Sequence, residues 1–248
     1  MAWLYLSPHL DDAVFSCGGL IWEQASRRDE VQVWTICAGD PAPLPLSAYA
    51  QGLHDRWGTG QGAAAPRRAA PRRAEDVLAC RRLGARYRHF SIPDAIYRRN
   101  PEDGKPLYTS DEDLFRALPA SEYGLVEQLA DQLKELLPPE CQLVCPLALG
   151  NHVDHQLVRA AVESTGLPLW YYADLPYVLR AGGPPDDLVA GIQAFTFQVT
   201  GFGLDAWVES AAAYGSQIGT FWPGVVAMQA ELRAYCHAMG GVRLWKQK

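Results

Sequence analysis

Two short clusters in this 248-residue chain carry residue types that could do chemistry together. The first is Ser7-Pro8-His9-Leu10-Asp11-Asp12, and the second is Asn151-His152-Val153-Asp154-His155. Between them they can offer two imidazoles and one carboxylate to a metal, leaving an open position for water, the arrangement of a catalytic zinc site. Bound zinc brings the pKa of its water toward about 7, and a carboxylate beside a ligand can take the proton as oxygen attacks a carbonyl. That chemistry is amide hydrolysis. Plainer roles exist for each cluster alone, since an Asp often caps the helix that follows it and a single histidine is often a surface or core residue. A cap does not account for a histidine beside two adjacent carboxylates, and two histidines three apart at a helix start share one face.

The elements that must position these clusters follow from periodicity. Residues 2–6 form a short apolar run ended by Ser7-Pro8, and residues 31–37 alternate and are β-branched. Residues 87–92, 142–149 and 169–172 read as further strands. Helical spacing covers residues 12–24, 72–83, 125–137 and 155–163, with Gly84 and Pro138-Pro139 as stop signals. This alternation predicts an α/β fold, a mostly parallel sheet with crossover helices. Ligands of such sheets bind outside the carboxyl ends of the strands, so the two clusters share one edge. A strand at 192–199 and helices at 204–217 and 225–238 complete a single domain over residues 1–248, with no repeat. Residues 38–71, rich in Gly, Pro and Ala, are too long for an ordinary connection and read as a lid or substrate loop. Residues 97–113 form a second irregular stretch.

Composition narrows the partners. A chain that is 48% hydrophobic and 20% charged builds a real core. A net charge of −6 argues against nucleic acid or an anionic membrane as the general partner, because either needs a basic surface. The arginine cluster Arg67, Arg68, Arg72 and Arg73 then reads as partly a solvated face and not a nucleic-acid patch. The six cysteines form no C-x-x-C pair and mostly sit in apolar runs, which suits free thiols of a reducing compartment. No leader or bilayer-spanning stretch is read, so a cytoplasmic location is expected. Whether the chain forms a homo-oligomer stays open.

The motifs match a known family. Pro8-His9-Leu10-Asp11-Asp12, then Gly18-Gly19, then His152-Val153-Asp154-His155 resemble the LmbE-like, or PIG-L, N-acetylglucosamine deacetylases. The segment Arg72 to Asp76, then Pro93-Asp94, Tyr171-Tyr172 and Tyr214-Gly215-Ser216-Gln217 agree in order across nearly the whole chain. The resemblance implies a Rossmann-like three-layer α/β/α fold. It implies zinc (Zn2+) held by His9, Asp12 and His155, with Asp11 as general base. His152 would stabilise the oxyanion or protonate the leaving amine, with Asp154 orienting an imidazole. The implied partner is a small N-acetylated amino sugar or conjugate. Two departures from the family pattern bear on the substrate: Ala13 stands where an acidic residue is common, and the stretch with Trp207 and Val208 lacks a basic residue that is common there.

Arg72, Asp94 and Tyr172 are the candidates for holding a sugar, the first two through a fork of donors and a carboxylate acceptor. For Arg72 and Asp94 the competing role is a salt bridge tying helix to strand. Trp57, Tyr97, Tyr171 and Tyr177 could also stack on a sugar face, although such residues are more often core. His54, His89 and His237 read as structural or surface residues. Two other functions fit the clusters less well. A His-x-Asp with a distant His is the triad of a non-haem iron oxygenase, but those usually sit on all-β barrels. A non-catalytic sugar-binding member of the same fold would have little reason to keep Asp11, which contributes little to ground-state binding.

Overall fold

β1 (Ala2–Ser7) and β4 (Gln142–Pro146) are the central strands, and beyond their first residues both are buried throughout, as befits strands covered on both faces. The computed structural model describes residues 1–57 and 69–247; Arg67, Arg68 and the middle of the expected lid, 58–68, lie outside the described residues. Around the centre run β2 (Glu30–Thr35), β3 (Arg86–His89), β5 (Leu169–Tyr172), β6 (Ile192–Phe197) and β7 (Val242–Gln247), giving the sheet order β3-β2-β1-β4-β5-β7-β6. The first five strands pair in parallel, whereas β7 is antiparallel to both β5 and β6. The expected mostly parallel sheet is present. β7 was not anticipated: it is a short run after Gly240-Gly241 that inserts between two strands foreseen from sequence.

From β1 the chain steps one way to β2, and from β4 it steps the other way to β5. Right-handed crossovers therefore put α1 (Asp12–Ser26) and α6 (Val153–Glu163) on opposite faces, producing three layers. α6 packs with α5 (Tyr123–Leu136), while α1 packs with α8 (Gly201–Ala211), which also touches α3 (Ala69–Arg82) and α10 (Val225–Met239). The predicted helix over 204–217 is two, α8 and a short helix at Gly215–Phe221. The break between β1 and β4 is the topological switch point, and both chemistry-bearing clusters leave the sheet there.

The paired glycines of α1 have a packing role. A Cβ on Gly18 would lie 2.4 Å from Cδ1 of Trp207, and one on Gly19 2.9 Å from both Trp207 and Val199. Trp207 is fully buried and donates from Nε1 to Val14 O at 2.7 Å, so the ring fills the groove the glycines leave. Gly18→Ala is expected to cost about 1–3 kcal/mol through overpacking. For a chain of this size each kcal/mol lowers Tm by about 2–4 °C. Calorimetry checks this, and an unchanged Tm would remove the packing role.

Candidate functional site

The first cluster is set by Ser7. Its hydroxyl donates to His9 O at 2.6 Å and accepts from Ala13 N at 3.0 Å, so a serine satisfies the first turn of α1. Asp11, at the N-cap position, makes no capping bond with its side chain. Asp12 Oδ2 accepts from His9 N at 2.7 Å, which fixes this carboxylate beside the His9 ring. The capping role considered for both aspartates is therefore not the one they play.

The second cluster is delivered by a contorted turn from β4 to α6, with Ala148, Gly150 and Asn151 at φ of 59°, 88° and 63°. Glycine is required at 150 because a Cβ would meet the Tyr177 ring at 2.5 Å. Left-handed non-glycine residues gather where a site over-determines the backbone. The turn ends on His152, which caps α6 by accepting the Asp154 N–H on Nδ1 at 3.2 Å. With Nδ1 accepting, neutral His152 carries its proton on Nε2, and the residue lines the cavity.

The donors converge on Asp12. Its Oδ2 lies 3.2 Å from His9 Nδ1 and 3.3 Å from His155 Nε2. Tetrahedral zinc with bonds of about 2.0–2.2 Å spaces its ligand atoms by about 3.3–3.5 Å, so these separations fit a metal. Each imidazole also gives its other nitrogen to a buried carboxylate: His9 Nε2 to Asp154 Oδ2 at 2.9 Å, and His155 Nδ1 to Asp174 Oδ1 at 2.6 Å. Metal-binding histidines are ordinarily oriented this way. Ring nitrogens of His9, His152 and His155 all lie within 4.8 Å of one another, so His152 stands beside the same point.

Electrostatics call for positive charge there. Burial works against protonated His9, but hydrogen bonds to Asp12 and Asp154 override it and hold the pKa well above the usual imidazole value. His155 is pushed up to about 10, burial again opposing and Asp12 and Asp174 prevailing. Asp12 is held well below the carboxylate range despite burial, by His155 and His9. Asp11 moves oppositely: burial, then the charge of Asp12, push it up to about 7, against Arg72 and His9. His152 is lowered well below the usual value by burial and by His9. The nearby Asp154 would favour a protonated His152, but its oxygens turn to Arg98, His9 and the Ala95 N–H, and desolvation wins.

His9, Asp11, Asp12 and His152 floor a cavity of about 250 Å³. Arg72 enters it from α3, its guanidinium 5.3 Å from the Trp57 ring, 3.7 Å from Asp94 Oδ2 and 4.0 Å from Asp11 Oδ1. Arg73 points elsewhere, to Asp40 at 3.0 Å. Glu75 and Asp76, on the same helix, accept from Ser216 and Tyr214, tying α3 to the segment around 215 and so holding Arg72 in place. Within the expected lid, a helix α2 (Ala48–Arg56), capped by Ser47, gives Tyr49, Leu53 and Arg56 to the cavity wall. Trp57, Tyr177, Phe115 and Phe221 add aromatic faces.

A family model, PIG-L: GlcNAc-PI de-N-acetylase, matches residues 4–165. The chain belongs to the PIG-L family. It is 30% identical over 188 residues to a 2'-N-acetylparomamine deacetylase of Niallia circulans, covering 71% of this chain and 67% of that one. A 2'-N-acetylparomamine deacetylase of Streptomyces fradiae is 30% identical over 182 residues, covering 70% of this chain and 57% of its own length. A solved structure of teicoplanin deacetylase in a zinc-inhibited form superposes with a TM-score of 0.82 at 29% identity, covering 99% of this chain and 97% of the other. The three-layer α/β fold differs from the all-β barrels on which non-haem iron oxygenases usually sit.

Some expected residues stand elsewhere. Tyr172 is fully buried and its hydroxyl donates to Leu6 O at 3.1 Å, so it is a core residue and not a sugar contact. Tyr171 is also core, and Tyr97 sits behind the wall, 2.6 Å from buried His54. Asp154 is completely buried, so its place is behind His9. Neither departure from the PIG-L pattern, at Ala13 or at Trp207-Val208, lines the cavity; all three side chains are buried. Asp174 was missed, although an acid two residues beyond β5, at the same sheet edge as the two clusters, was a signal of the same kind. No helix among the described residues is long and apolar enough to cross a membrane.

Proposed function

We propose that this PIG-L member is a zinc-dependent N-deacetylase that hydrolyses the N-acetyl amide of an amino-sugar-containing small molecule. The observation that carries the reading is the pair of imidazoles, each held between Asp12 and a buried carboxylate of its own, with Asp11 beside them in the cavity. His9, Asp12 and His155 would hold the metal, which would supply a polarised water with a pKa of about 7.

The chain's own residues do the rest. Asp11 takes a proton from the attacking water, and a group titrating near neutrality both accepts and returns a proton readily. Neutral His152 donates a hydrogen bond from its Nε2–H to the amide oxygen as charge grows there. The carbon–nitrogen bond breaks, and Asp11 returns its proton to the departing nitrogen, leaving a free amine and acetic acid, which loses its proton to water as acetate. Arg72 and Asp94 take sugar hydroxyls, and Trp57 and Tyr177 offer ring faces. The substrate class is supported by the relatives named for 2'-N-acetylparomamine and teicoplanin. Six free thiols suit the cytoplasm.

A fluorescamine assay for primary amine, run over N-acetylated amino sugars, their glycoconjugates and N-acetylated thiol precursors, tests the reading. Amine release from at least one amino-sugar substrate is expected. No release from any of them by the metal-loaded protein would point to the non-catalytic sugar-binding alternative.

A further inference from the structure

Behind the metal site lies a chain of buried charge that the proposed reaction does not use. Arg98 follows the 3-10 turn Ala95–Tyr97 and is 6% exposed. Its Nη1 donates to Asp154 Oδ1 and to Pro93 O at 3.2 Å, its Nη2 lies 2.6 Å from Glu122 Oε2, and its guanidinium sits 5.5 Å from the Tyr108 ring centre. Asp154 is fully buried and Glu122 3% exposed, and none of the three lines the cavity. The connection runs from Glu122 through Arg98 and Asp154 to His9 Nε2.

Arg98 decides how Asp154 can face. With Oδ1 engaged by the guanidinium, Oδ2 remains for His9 and for Ala95 N at 3.0 Å. The same arginine grips Pro93, and the Asp154 contact to Ala95 completes a clasp on both sides of Asp94. We propose that Arg98 is a positioning residue for the metal centre: it clamps Asp154 against His9, fixing the ring orientation offered to the metal, and holds the Asp94 segment in register with it. This rests on the reading of His9 as a metal ligand given above.

Zinc affinity, measured by competition with a chromophoric chelator, tests it independently of turnover. Outer groups that orient a ligand typically contribute 10–100-fold to metal affinity, so folded Arg98→Gln is expected to bind zinc about 10–100-fold more weakly than the parent. Arg98→Lys keeps the charge but cannot span Asp154, Glu122 and Pro93 at once, and should show a loss toward the lower end of that range. His9→Ala in the same titration separates the two readings. Parental zinc affinity in His9→Ala means the ligand assignment fails. Loss of zinc in His9→Ala with parental affinity in folded Arg98→Gln means that Arg98 is only a structural staple. Should Arg98→Gln not give a cooperative thermal transition, Arg98→Lys decides: weakened zinc supports the clamp, and parental affinity overturns it.

Discussion

Asp11→Asn is expected to keep its metal and lose about 10²- to 10⁴-fold in kcat, the usual contribution of a general base. The carboxylate lies beside the proposed ligands, caps nothing with its side chain, and lines the cavity, so the amide should fold and load normally. What it cannot do is accept the proton of water. The parent's pH profile carries the same information. Burial and Asp12 raise Asp11 to about 7, so the working carboxylate is present above that value and is lost as pH falls through it. A bound cation would take the place of protonated His9 on the lowering side, beside Arg72, so the acid limb is expected at about 7. Rates across pH, with metal content measured on the same samples, check this. Near-parental kcat in fully loaded Asp11→Asn would sink the role.

His152→Ala should lower kcat and kcat/KM together by about 10²- to 10³-fold, the range for one oxyanion donor. KM and zinc content should change little, the signature of an interaction made only in the transition state. Burial and His9 keep the ring neutral, so it acts through its Nε2 hydrogen and not as a cation. The variant should therefore retain the acid limb assigned to Asp11. Losing the cap on the Asp154 N–H weakens α6 by about 1 kcal/mol, too little to explain such a rate loss. Because three ring nitrogens cluster within 4.8 Å, loss of zinc from this variant would instead make His152 a ligand.

Much of this architecture was legible in the sequence for physical reasons. β1 and β4 are buried on both faces and so read as apolar runs, and polar clusters at their ends stand out against that background. Helices with long periodic stretches, such as α5 and α10, begin within two residues of expectation. What stayed hidden depends on contacts across the fold. β7 is a mixed polar and apolar run, VRLWKQ, and is defined by its two neighbours. α2 was obscured by Gly and Pro on both sides of it. Asp174 and Arg98 lie in no recognised motif, and their roles appear only when the topology brings β5 and the segment after β3 against α6. Tyr172 misled because a tyrosine at a strand end can face a ligand or the core, and its hydroxyl had a buried carbonyl to satisfy.

Amide hydrolysis by this chain should require a metal at His9, Asp12 and His155, and reloading stripped protein tests that requirement. Protein stripped with a chelator should release no amine from a responsive N-acetylated amino sugar. On adding zinc in fractions of an equivalent, the rate should rise in proportion to bound metal up to one per chain, and His155→Ala should neither bind nor respond. The titration stays at or below one equivalent because a similar deacetylase is known in a zinc-inhibited form. Full activity in stripped protein would rule out the metal requirement, and full zinc binding by His155→Ala would rule out His155 as a ligand.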